Sequence, residues 1–105
     1  MSVVKINAID VPVQRSDEMA ARFAARAGQV EHMDGFEEFR LLRPTDGRTT
    51  WLVYIRWRDE DAFQAWVGSQ SFSRGHAQPQ GAGGPVVTHS ARWEFGLAQE
   101  AASRP

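Results

Sequence analysis

Residues 50–57, "TWLVYIRW", alternate with a period of two. Trp51, Val53, Ile55 and Trp57 fall on one side, and Leu52, Tyr54 and Arg56 on the other. That pattern predicts a strand with two unlike faces. "VVKINAIDV" is rich in β-branched residues and stops at Pro12, which predicts a first strand. In "SDEMAARFAARAGQVEHM" the period changes to that of a helix. Ser16 or Asp17 can cap it, acids fill its first turn, and Met19, Phe23, Ala27 and Val30 form an apolar stripe. Arg22 and Arg26 make a second row beside that stripe.

The remaining segments follow the same logic. "DGF" is a turn, "FEEFRLLRP" a second strand halted by Pro44, and "TDGRT" a hairpin signal leading into 50–57. "DEDAFQAWV" reads as a second helix burying Phe63, Trp66 and Val67, and "AQPQGAGGP" as a loop. "THSARWEFGL" reads as a fourth strand with Ala91, Trp93, Phe95 and Leu97 on one face. The order β-α-β-β-α-β predicts an α+β, ferredoxin-like fold over residues 1–98, with a flexible C-terminal tail at 99–105. Two helices cover one sheet face, so the other needs a cover. The face bearing Trp51, Val53 and Ile55, or the one bearing Trp93 and Phe95, predicts a homodimer closed sheet to sheet as a dimeric α+β barrel.

Composition narrows the function by exclusion. At 105 residues there is room for one core. A net charge of −1 gives no electrostatic case for nucleic acid or an anionic membrane, and no apolar run is long enough for a bilayer span. With no cysteine there is neither a disulfide nor a thiolate site, which fits a cytoplasmic protein. His32, His76 and His89 are scattered, so a metal site made of protein ligands alone is not expected.

Each candidate for chemistry has an ordinary alternative. His76 follows Trp66 by ten positions, and on one straight helix the two would stand about 80° apart. Gly68, Ser69 and Ser71 instead predict a break and restart, after which both could border one pocket. A lone histidine before a loop is otherwise a solvated residue. Asn7, the sole asparagine, sits mid-strand, where it is either an edge-facing polar group or a hydrogen-bond donor kept in a pocket. Trp66 alone reads as core. Arg22 and Arg26 read as a solvated face or as partners for a bound anion.

Taken together, "VVKINAI", "RFAARA", "LLRP" and "AFQAW" resemble the IsdG-type haem-degrading monooxygenases, within the wider antibiotic-biosynthesis-monooxygenase group. The resemblance runs from about Val3 to Leu97. It implies that Asn7, Trp66 and His76 are the catalytic residues and that His76 is the axial ligand of haem iron. It further implies that Asn7 holds oxygen with an uncharged donor, that Trp66 distorts the macrocycle, and that Arg22 and Arg26 lie beside the propionates. Haem would be cofactor and substrate together, opened with O2 and electrons from an external donor, either a reductase or a small reductant. Iron and a linear tetrapyrrole would be the products. A cofactor-independent oxygenase acting on a polycyclic aromatic, which would not need His76, and a non-catalytic haem binder are the alternatives.

Overall fold

Alternation becomes architecture in a four-stranded antiparallel sheet of order β2-β3-β1-β4, seen in a computed structural model that describes residues 1–25, 30–69 and 87–101. Its elements are β1 (Val3–Asp10), α1 (Ser16–Ala25), β2 (Phe36–Leu42), β3 (Thr50–Trp57), α2 (Glu60–Val67) and β4 (His89–Gly96). This is the expected β-α-β-β-α-β order. β1 is central, with β3 on one side and β4 at the edge on the other.

Pairing fixes which side chains share a face, since directly opposed residues point the same way. Val3, Lys5, Asn7 and Ile9 oppose Trp57, Ile55, Val53 and Trp51 of β3. The helices cover this face with two separate cores. Ile9, Val11, Met19 and Trp51 close the α1 end, while Ile55, Trp57, Ala62 and Phe63 close the α2 end. Trp57 is fully buried against the rings of Phe36, Phe63 and Trp66, at 6.0, 6.4 and 5.5 Å between centroids. Its Nε1 has no acceptor among the described residues. That omission costs about 1–3 kcal/mol, and three ring pairs at about 0.5–1.5 kcal/mol each offset it.

Among the described residues no helix covers the opposite face. Val4, Ile6 and Ala8 oppose Arg56, Tyr54 and Leu52 on β3, and Phe95, Trp93 and Ala91 on β4. Trp93, Phe95 and Leu42 are 45, 50 and 45 % exposed, whereas Trp51 and Ile55 are buried beneath the helices. Of the two faces considered for a partner, the structure therefore leaves open only that of Trp93 and Phe95. The face of Trp51, Val53 and Ile55 belongs to the core.

Two local expectations are corrected. Neither Ser16 nor Asp17 acts as a cap. A 3-10 turn at Val13–Arg15, begun by the Arg15 N–H donating to the Pro12 carbonyl, runs straight into α1, and Ser16 is already helical. Nor does Val30 extend the α1 stripe. By residue 30 the chain is in turns, and Val30 and Met33 pack into the α2 core. The reason is Gly35. Its φ of +85° turns the chain toward β2, its carbonyl accepts from the Arg58 N–H, and a Cβ there would collide with Ala62. In the segment expected to be a tail, Glu100 is ion-paired to Arg56.

Candidate functional site

Between the two cores the helix-covered face changes character. Leu41 of β2 opposes Val53 of β3, Val53 opposes Asn7 of β1, and Asn7 opposes Arg92 of β4. These four form one row across the sheet. Asn7 is exposed although β1 is a central strand, so it is no edge-facing residue. A polar side chain in mid-sheet, open to solvent while its strand neighbours Lys5 and Ile9 are buried, marks a gap between the two packed ends.

Trp66 packs on the core that closes the α2 end of this face. It lies in the last turn of α2, partly buried, stacked on Trp57 and 6.3 Å from Phe63. The helix begins where Asp59 accepts from the Ala62 N–H at 2.9 Å. It stops at Gly68, and the Ser69 hydroxyl donates to the Trp66 carbonyl at 2.6 Å. The expected break after Trp66 is therefore present. The expected restart, Arg26 and His76 all lie outside the described residues.

Arg22 projects from α1 onto Glu18, a carboxylate it shares with Arg15. The hydrogen bond from Arg15, and the second from Arg22, hold the Glu18 carboxyl below its ordinary range. Both guanidiniums reach Glu18 from within about one helical turn, at 2.8 and 2.5 Å.

Beneath α2 lies a feature that sequence reasoning missed. Lys5, the sole lysine, is 8 % exposed and donates to Glu60 of α2 at 2.7 Å and to Glu94 of β4 at 2.8 Å. Its ammonium is also 4.5 Å from the Phe63 ring centroid. Burial works against the Lys5 charge, but the two carboxylates outweigh it and its pKa stands above the ordinary 10.5. The cluster ties α2, β1 and β4 together two residues from Asn7. Arg92 was missed too. It is exposed on the helix-covered face, with its guanidinium 5.9 Å from the Phe63 centroid. Alternation in "SARWEF" already set it opposite in orientation to Trp93.

A row that runs from two aliphatic side chains to a neutral amide and a cation, beside the aromatic α2 core, fits a flat, largely apolar ligand with an acidic edge, such as a porphyrin. No group of acidic or histidine side chains among the described residues could hold a bare metal ion. Two shallow cavities, of about 250 and 300 Å³, border Arg43, Pro44 and Thr45 near the β2–β3 hairpin. They touch none of the candidate residues, so they are not taken as the site.

Comparison with known proteins finds relatives over nearly the whole chain. Residues 2–78 match the family described as antibiotic biosynthesis monooxygenase. The chain is 42 % identical over 95 residues to a heme oxygenase (mycobilin-producing) of Mycobacterium tuberculosis, spanning 90 % of this chain and 88 % of the relative. It is 29 % identical over 75 residues to a heme oxygenase (staphylobilin-producing) of Staphylococcus haemolyticus, spanning 70 and 71 % of the two chains. A solved structure of the heme-degrader MhuD from Mycobacterium tuberculosis, with two hemes in its active site, superposes with a TM-score of 0.81. It is 39 % identical, and the match covers 95 % of this chain and 99 % of that one.

Proposed function

The chain belongs to the antibiotic biosynthesis monooxygenase family, and from that premise we propose that it is a haem-degrading monooxygenase. The observation that carries the reading is the solvent-open Asn7 at the centre of the helix-covered face, between two closed cores and on the same face as Trp66. A closed ferredoxin-like core would place an apolar residue there.

Haem, when bound, supplies both the iron at which O2 reacts and the ring that is opened. In this reading His76 would hold the haem iron through a neutral imidazole nitrogen. Asn7 offers a carboxamide N–H that orients oxygen and cannot release a proton at any working pH. Trp66, held against Trp57 and Phe63, would press on the bound haem and distort it. Arg22, and with it Arg26, supplies positive charge for the propionates. Electrons come from an external donor, a reductase or a small reductant. A second copy covers the sheet face of Trp93 and Phe95, giving a homodimer, and the protein works in the cytoplasm.

The test begins with hemin titration of the purified protein. A saturable Soret shift is expected in the wild type, and its loss or severe weakening in His76→Ala. Trp66→Ala should keep the shift yet slow the decay of the band under reductant and O2, with catalase present to remove peroxide. Wild-type protein without any shift would return the reading to a cofactor-independent oxygenase. A shift with no decay and no iron reaching a chelator would make it a haem carrier.

A further inference from the structure

We propose that Arg92 receives an acidic substituent of the ligand and so sets which way round the ligand lies across the sheet. Within the haem reading, on which this rests, that substituent is a propionate. The row Leu41, Val53, Asn7, Arg92 is graded: two aliphatic side chains, then a neutral amide, then a cation on the edge strand. A ligand seated on it is matched only if its apolar side lies toward β2 and its anionic side toward β4.

The charge of Arg92 is also available. Among the described residues, Arg15, Arg22, Arg40, Arg43, Arg48, Arg56 and Arg58 each have a carboxylate within ion-pair distance, whereas Arg92 has none. Glu94, two residues along β4 on the same face, is engaged by Lys5, as is Glu60 of α2. The Phe63 ring steadies the guanidinium without neutralising it. A planar fork of N–H donors matches a carboxylate in two parallel hydrogen bonds, and a ligand lying over it removes the water that screens the pair.

The experiment compares ferric protoporphyrin IX with its dimethyl ester, which keeps the ring and iron and lacks the two negative charges. Wild type, Arg92→Met and Arg92→Lys are titrated by Soret shift at low and high salt. Wild type should bind the diacid more tightly than the diester by more than the roughly tenfold that Arg92 supplies, because Arg22 and Arg26 also meet the propionates. Arg92→Met should lose about tenfold for the diacid and nothing for the diester, with a flatter salt dependence. Arg92→Lys should fall between them. If Arg92→Met weakens both ligands equally, the residue is merely structural and the proposal is overturned. Unchanged diacid affinity in Arg92→Met overturns it as well, with the haem reading left standing. If wild type shifts with neither ligand, the haem reading falls and takes the role of Arg92 with it.

Discussion

The two faces of the sheet are made by the same four strands and solve opposite problems. On the helix-covered face, apolar packing is concentrated at the ends and interrupted in the middle by Asn7 and Arg92. On the bare face, Val4, Ile6, Ala8, Leu52, Tyr54, Trp93 and Phe95 run together, with charge on the β2–β3 side in Glu38, Arg40 and Arg56 and at the end of β1 in Asp10. An interrupted apolar surface suits a small ligand with a few polar points. A continuous one suits another protein surface. The difference teaches that exposure by itself says little; the polarity of the exposed row separates a ligand site from an association site.

The sharpest way to break this comparison is Asn7→Ala. It should leave hemin binding and the oligomeric state intact while slowing band decay under reductant and O2 about 10²-fold, the loss expected for one positioned donor. Equal decay rates in the two proteins would remove Asn7 from the chemistry. Trp93→Glu addresses the other face. A charge in the centre of the apolar patch should weaken self-association about thirtyfold, equivalent to about 2 kcal/mol for a central aromatic anchor. Sedimentation or light scattering across a dilution series would show the shift toward an 11.8 kDa monomer. A wild type already monomeric at micromolar concentration defeats the dimer outright.

The smallest effect concerns the tie between α2 and the sheet. The hydrogen bond from Lys5, followed by that from Gln64, lowers the Glu60 pKa from its ordinary 4.5. Stability from that shift is present above pH 4.5 and lost as pH falls through the lower folded value. Lys5 is raised, so its share is present below 10.5 and lost as pH rises through the higher folded value. Lys5→Met should therefore flatten the melting-temperature profile at both extremes. The change should be modest, because Glu60 and Glu94 are 50 and 54 % exposed and screened by water. Superimposable profiles for the two proteins would show that the ion pairs contribute no pH-dependent stability.

Much of this was readable in the chain because it is local. The alternation of 50–57 sets two faces without knowledge of any neighbour, and Gly47, at a φ of +89°, supports the hairpin expected from "TDGRT". Asp59 and Gly68 bound α2 through contacts within a few residues. What escaped is non-local. Strand order is not encoded in any single strand, so Asn7 could be taken for an edge residue until β4 was seen beside β1. Lys5 meets acids 55 and 89 positions away, which no window along the sequence reveals. Val30 continues the helical period of Met19 and Phe23 yet joins the other core, because packing and the Gly35 turn override a pattern carried past its helix.

The placement of Arg92 and Trp93 on consecutive positions of β4 has a consequence for how this gene can change. One residue faces the helices and the next faces away. Removing Ala91 while Ser90 stays opposite Ile9 would exchange them, putting an indole beside Asn7 and a guanidinium in the apolar patch. Removing or adding two would preserve the facing of every side chain. Length variants entering this strand should therefore survive in even steps, a parity rule set by the pleat.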